Sequence, residues 1–284
     1  MRYLGGNGLA RGPTAQHGER MTDAAALLAA YDAQLRGEVE THGADQVERL
    51  GPLWLVTYPG GSGYVTYRDL GGADAADVRR LVAAALDRLA ADPAVTEVEW
   101  KTRAHDRAPG LHEALVYHGF APEDPESIMI GPAEALAVDV PLPDGVTLRR
   151  VTDEADVRAM AAMSDEVFGD PPSDRHAEQV LLRQRLYPDM ELWVAEAGGR
   201  IVSAGRLEPV AGTEFAGIWG GSTLPEWRGR GIYRALTAER ARSALRLGKR
   251  YLQSDSTEFS RPILERSGLV KVSTTTPYVW HRAT

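Results

Sequence analysis

Apolar residues return at helical spacing through Val78, Leu81, Val82, Ala85, Leu86 and Leu89, a stripe that predicts an amphipathic helix ending before Asp92-Pro93. Ahead of it, Leu27, Leu28, Tyr31 and Leu35 share one face of a helix that Thr22 can cap and Gly43 can stop. Two alternating segments, Leu53 to Tyr58 and Tyr64 to Leu70, flank Pro59-Gly-Gly-Ser-Gly63 and read as an antiparallel pair joined by a turn. Val95 to Thr102 alternates as a strand, Leu111, Leu115 and Val116 mark a short helix stopped by Gly119, and Ser127 to Ile130 is a further strand. Residues 1–20, rich in glycine and without periodicity, read as a disordered lead-in, which leaves 21–132 as a first domain. The stretch 133–145, with Pro141 and Pro143, reads as a linker to a second domain over 146–284.

In the second half Thr147 to Val151 is a short strand. Thr152 or Asp153 then opens a helix with Val157, Met160, Ala161, Val167 and Phe168 on its apolar face, and a second helix is capped near Ser173 and runs to Tyr187. Strands follow at Glu191 to Ala197, Ile201 to Glu208 and Phe215 to Leu224, the first two joined at Gly198-Gly199. A helix over Ile232 to Leu247, a strand at Tyr251 to Ser256, a helix at Ser260 to Arg266 and a strand at Val270 to Trp280 complete the chain. The order of elements in the first half repeats the later part of this order. His112-Glu-Ala-Leu-Val-Tyr-His-Gly-Phe120 echoes Pro262-Ile-Leu-Glu-Arg-Ser-Gly-Leu269, each a short helix ended by glycine and an apolar residue.

Composition narrows the function. The chain has 284 residues, enough for two cores, and a formal net charge of -8, which argues against non-specific nucleic-acid binding. It contains no cysteine, so disulfides, thiolate metal sites and a cysteine nucleophile are excluded. His105, His112 and His118 lack the i, i+4 spacing of a helical metal site, His176 reads as an exposed helical residue, and no metal is expected. No apolar run reaches membrane-spanning length and the N-terminus lacks a signal-peptide core, so a cytoplasmic protein without a membrane partner is expected.

Chemistry concentrates in Ser222-Thr-Leu-Pro-Glu-Trp-Arg-Gly-Arg-Gly-Ile-Tyr233. Gly229 and Gly231 let the chain turn between a strand and a helix, and the free amides of that turn, the helix dipole and Arg228 and Arg230 suit a pyrophosphate. No Lys-Ser or Lys-Thr follows the second glycine, and no G-x-G-x-x-G is present, which excludes a P-loop and a dinucleotide fingerprint.

Arg228-Gly-Arg-Gly231 after Leu-Pro-Glu-Trp resembles the acyl-CoA pyrophosphate loop of the GNAT superfamily of N-acetyltransferases: Arg or Gln, two residues, Gly, one residue, then Gly or Ala. Tyr233 departs from the last position. The order of elements is similar to that of tandem GNAT proteins, and the resemblance implies an α/β (α+β) fold of two tandem GNAT-like domains, each a mixed, mostly antiparallel central sheet flanked by helices. Asp69-Leu-Gly-Gly-Ala-Asp-Ala-Ala-Asp77 stands where the first repeat would carry its loop, and three carboxylates there imply a degenerate copy without cofactor binding.

The resemblance further implies acetyl-CoA as co-substrate and direct transfer to the amine of a small molecule or peptide. Ser222, Thr223 and Leu224 would pair with the pantetheine arm beside a bulge eased by Gly220 and Gly221. Arg228, Gly229, Arg230, Gly231, Ile232 and Tyr233 would hold the pyrophosphate. An alkyl amine of pKa about 10.4 is mostly protonated at neutral pH, so a general base is expected. Glu214, then Glu208 and Asp255, are the strand-end carboxylates available. The tyrosine with which the family protonates the leaving thiolate is replaced by Leu264, leaving Tyr278, Tyr233 and Tyr187 as substitutes. Leu264 and Tyr233 also motivate an alternative, an acyl-CoA-binding or scaffold protein without turnover. In a weaker reading the first repeat is a dimerisation surface, as in a homodimer.

Overall fold

The computed structural model describes residues 13–171 and 173–283. The first half runs α1 (Pro13–Gln34), a 3-10 turn (Gly37–Thr41), β1 (Gln46–Leu50), β2 (Leu53–Tyr58), β3 (Ser62–Tyr67), α2 (Ala75–Ala90), β4 (Glu97–Arg103), α3 (Leu111–Tyr117), β5 (Ala121–Pro122) and β6 (Glu126–Pro132). After it come α4 (Ala133–Leu136), β7 (Val146–Val151), α5 (Glu154–Phe168), α6 (Arg175–Leu186), β8 (Glu191–Ala197), β9 (Arg200–Pro209) and β10 (Phe215–Thr223). A 3-10 turn (Pro225–Trp227), α7 (Ile232–Arg246), β11 (Tyr251–Ser256), α8 (Arg261–Ser267) and β12 (Val270–His281) close the chain.

Of the expected lead-in, residues 1–12 lie outside the described residues, and the backbone is helical from Pro13 rather than from Thr22. The expected linker begins as α4, whose Ala133 and Leu136 are buried against Leu252 and Leu269. β1 was not predicted, because its five residues are all exposed or half-exposed and leave no apolar alternation to read.

The sheet is mixed, mostly antiparallel and flanked by helices. Its two halves share it: twelve strands form one surface in the order β1-β2-β3-β4-β12-β6-β11-β10-β9-β8-β7, with β5 on β12. Parallel pairing occurs between β3 and β4 and again between β10 and β11, at the same place in each half. The last strand of each half lies among strands of the other: β12 pairs with β4 through Tyr278 opposite Trp100, and β6 pairs with β11 through Ile130 opposite Gln253. Leu27 and Tyr31 of α1, with Leu35 directly after it, pack over this junction against Ile128, Ile130 and Phe215. Residues 21–145 and 146–284 expressed apart would therefore each expose a long strand edge, and we expect both to aggregate alone and to recover solubility when co-expressed. A cooperative thermal transition from either piece alone would contradict this reading of the sheet.

Two further cores flank the junction. One, between α2, α3 and the first-half strands, includes Val82, Leu89, Trp100 and Leu115. The other gathers Val157 and Met160 of α5, Leu192 and Val194 of β8 and Ile232 and Leu236 of α7. Among the described residues no helix is long and apolar enough to cross a membrane.

Candidate active site

β10 positions the site. It pairs with β11 only from Phe215 to Gly217, and beyond that point the two strands take no further register partners from each other. On its other side β10 follows β9, with a register shift between Trp219 and Ser222. Gly220 adopts φ of +60° at this bulge, a conformation that favours glycine. The result is a V between β10 and β11 with an open backbone edge on β10. Ser222 and Thr223 are fixed from the β9 side, where the Ser203 hydroxyl donates to the Ser222 carbonyl at 2.7 Å and meets Thr223 Oγ1 at 2.7 Å. Ser222 Oγ is also 2.9 Å from Ser164 Oγ of α5.

The turn from β10 into α7 leaves its donors outward. Gly229 and Gly231 have φ of +73° and +81°, and Gly231 is the residue from which the helix starts. Among the described residues the amides of Gly229 to Arg234 have no hydrogen-bond partner, as expected for a helix start without a side-chain cap. Arg228 Nε donates to the Thr223 carbonyl at 3.0 Å, and the Arg230 guanidinium lies 5.0 Å from the centre of the Trp227 ring. Both arginines are exposed, so positive charge flanks the free amides. Leu224 and Ile232 are buried at 0% and 1% exposure, and their side chains anchor the loop in the core.

Tyr233 reaches from the first turn of α7 to the bulge. A Cβ added at Gly221 would stand 2.5 Å from Tyr233 Cε2 and 2.7 Å from its hydroxyl oxygen, so glycine at one position admits tyrosine at the other. Gly221→Ala is expected to destabilise the protein by about 1–3 kcal/mol through this overlap, and Tyr233→Ala in the same chain to recover most of the loss. A double-mutant cycle on denaturant midpoints checks it, and additive losses would mean that the contact is not made.

Beside the closed end of the V opens a cavity of about 1050 Å³, lined by Gly217 and Trp219 of β10, Gln253 of β11, Arg206 and Glu208 of β9, residues of α6, and first-half residues including Glu40, Tyr64 and Glu99. Of the four expected catalytic candidates, Glu208 lines it. Both Glu208 oxygens are held by Arg183, at 2.9 Å from Nε and 2.7 Å from Nη2.

The other three candidates stand apart from that cavity lining. Glu214 is at the surface, with Arg250 at 2.8 Å and Gln34 donating at 3.0 Å, and these two donors hold its carboxyl below the usual range. Asp255 faces Lys101, with Oδ2 at 2.7 Å from Nζ, and burial of Lys101 is outweighed by Asp255, which holds the ammonium well above its ordinary value. Tyr278 lies in the first-half core, its hydroxyl 2.6 Å from His112 Nδ1. Of the substitute acids, Tyr187 donates to the His42 carbonyl at 2.8 Å on the cavity wall. His176, expected to be exposed, is half-buried and bound to the buried Asp165 at 2.7 Å.

Sequence reasoning missed Arg183, Arg206, Lys101, Glu99 and Glu40. For the β9 pair a signal was present: Arg206 and Glu208 continue the face of buried Val202 and Ala204, opposite Leu207, so that one face of the strand turns from apolar to charged along its length. Glu40 accepts from Tyr64 and the Gly37 amide, both at 3.0 Å, and from Thr66 and Arg103. Burial raises the Glu99 carboxyl above its usual range although Lys101 opposes the change. Among the described residues there is no group of three or more His, Cys, Asp or Glu side chains placed to hold a metal ion.

Residues 158–268, which contain α6, the V and the glycine turn, match the acetyltransferase (GNAT) family. No curated protein matches the chain. Solved structures share its fold over nearly all its length. A tandem GNAT protein from the clavulanic acid biosynthesis pathway superposes with TM-score 0.65 at 14% identity, covering 96% of this chain and 97% of its own. A GCN5-related N-acetyltransferase from Kribbella flavida gives 0.63 at 16%, covering 93% and 96%. One from Sphaerobacter thermophilus gives 0.58 at 22%, covering 92% and 93%.

Proposed function

We propose that this GNAT-superfamily protein of the tandem type, an acyltransferase by family, is an N-acetyltransferase that moves an acetyl group from acetyl-CoA to the amine of a small molecule or peptide. The observation that carries the reading is the glycine turn with its free amides standing at the mouth of the V between β10 and β11. The pyrophosphate would sit on the amides of Gly229 to Tyr233 with Arg228 and Arg230 beside it, and the pantetheine would extend along the open edge of Ser222, Thr223 and Leu224. The thioester then arrives at the bulge, where the cavity meets Trp219.

Transfer is direct. The neutral amine nitrogen forms a bond to the thioester carbonyl carbon, the C–S bond breaks as the tetrahedral intermediate collapses, and the sulfur leaves as a thiolate. The amine gives up one proton in forming the amide, and the thiolate can take one up. Glu208 is the expected carboxylate that faces the cavity, but its two oxygens are occupied by Arg183, so it orients that arginine better than it abstracts a proton. Tyr233, whose hydroxyl stands beside Gly221, is a phenol at the bulge in this arrangement.

Leu264, buried at 1% exposure and without a hydroxyl, favours a second reading, a protein that binds acyl-CoA without turning it over. Calorimetry with acetyl-CoA followed by thiol release over a panel of amines tests both. Binding with release supports transfer, binding without release on any amine supports the second reading, and absence of binding removes both.

A further inference from the structure

At the β9 wall of the cavity two guanidinium groups, Arg183 and Arg206, meet one carboxylate, Glu208. Arg103 answers Glu40, Asp255 answers Lys101, and Arg183 takes both oxygens of Glu208. Arg206 is left. Its Nε lies 3.2 Å from Glu208 Oε1 but outside hydrogen-bond geometry, and that atom has no partner among the described residues. The side chain is 21% exposed, its guanidinium faces Gly220 with Cζ 3.7 Å from a Cβ built there, and its residue stands opposite Trp219 in the β9–β10 register. Burial draws the guanidinium below its ordinary pKa, with Glu208 opposing, so the protein keeps a cation here at a cost. Glu38, Glu99 and Asp189 also line the cavity without an ion pair among the described residues, and none of the three is paired with Arg206; Glu99 is on β4, with four strands between it and β9.

A guanidinium that is largely removed from water, shares its one carboxylate with a second arginine and lines a cavity has outer nitrogens available to recognise an anion. Its place fixes which anion. It stands one register pair from the bulge, so a group bound to it belongs to the molecule whose amine meets the thioester, not to the pyrophosphate at the far end of the V. Resting on the proposed acetyl transfer, we infer that the acceptor is an amine that also carries a carboxylate or phosphate, and that Arg206 binds this anionic group and sets the acceptor specificity. Arg183 and Glu208 act as positioning residues, with Glu208 close enough to restrain the Arg206 head group while leaving its outer nitrogens free. A cation at this point has a second effect, since it disfavours protonation of an amine nearby and so raises the fraction that carries a lone pair.

The test uses acceptors of matched chain length that differ at one end: amino carboxylates, aminoalkyl phosphates and the corresponding amino carboxamides. Thiol release from acetyl-CoA is measured with the wild type, Arg206→Gln and Arg206→Lys, alongside acetyl-CoA affinity by calorimetry. The wild type is expected to favour one of the anionic series over the carboxamides by roughly 10- to 100-fold in kcat/KM, and the series favoured identifies the anion. Arg206→Gln should erase the preference chiefly through KM with acetyl-CoA affinity unchanged, and Arg206→Lys should retain part of it. Carboxamides used as well as the anionic amines, or a preference that survives Arg206→Gln, would overturn the inference while leaving acetyl transfer standing. Failure of the wild type to bind acetyl-CoA, or to release thiol with every amine, would instead overturn the proposed function and the acceptor assignment with it.

Discussion

Gly231→Asp is expected to abolish acetyl-CoA binding and to leave the protein folded. Gly231 has φ of +81°, and a Cβ there would meet Val140 Cγ1 at 3.8 Å and the Pro141 carbonyl oxygen at 3.9 Å, ordinary contact distances. Space is therefore available, and aspartate is among the residues that enter the left-handed region with least strain, at a cost of about 1 kcal/mol. Its charge is another matter. A carboxylate about 4 Å from a phosphate charge is repelled by about 4 kcal/mol at an effective dielectric of 20, equivalent to roughly a thousandfold loss of affinity. Gly231→Asn has nearly the same shape and backbone requirement without the charge, and should lose far less. Calorimetry on the three proteins checks this, and equal losses for Asp and Asn would show that shape, not an anion, governs the turn.

The second large effect lies in the first half. Glu40→Ala should destabilise the protein by about 3–5 kcal/mol, because Arg103, with a side chain at 0% exposure, would be left as an uncompensated buried charge. The loss is larger than that of a surface pair, since Glu40 also accepts from Thr66, Tyr64 and the Gly37 amide. Burial pushes the Glu40 carboxyl up, but Arg103, Lys101 and these hydrogen bonds outweigh it, and the folded-state pKa is below the ordinary value. The unfolded chain therefore binds the proton more readily than the folded one. This contribution to stability is fully present above the ordinary glutamate pKa and is lost as pH falls through the lowered folded value. Denaturant melts at neutral and acidic pH should show Glu40→Ala losing stability mainly at neutral pH, with the gap to the wild type narrowing in acid. A gap that stays constant would place the effect in packing.

These two sites also mark what the sequence disclosed. The glycine turn was legible because left-handed backbone and close approach demand glycine, and the demand is written locally at Gly220, Gly229 and Gly231. The paired organisation was legible too, because the order of elements repeats, and the parallel pairs β3 with β4 and β10 with β11 fall at the same place in each half. The placing of β12 was not. A strand alternates in the same way whichever neighbour it joins, and nothing in Val270 to His281 records that its partners are β4 and β6. The cavity was illegible for a related reason. Lys101 and Asp255 are 154 residues apart, and Arg183 and Glu208 are 25 apart, so each looks like an ordinary strand-end or helix-surface charge until the sheet brings it inside. Glu214, the most favoured base in the sequence, illustrates the converse: it ends at the surface because β10 begins there, on the side of the strand away from the V.

The central claim is that one glycine turn, Arg228 to Tyr233, holds the acyl donor, and that the acidic stretch from Asp69 to Asp77 in the first half does not. Calorimetric titration of the full chain with acetyl-CoA measures this directly. One molecule bound per chain, with binding removed by Gly231→Asp, is the predicted result. Two molecules per chain, none, or one that persists undiminished in Gly231→Asp would contradict the account.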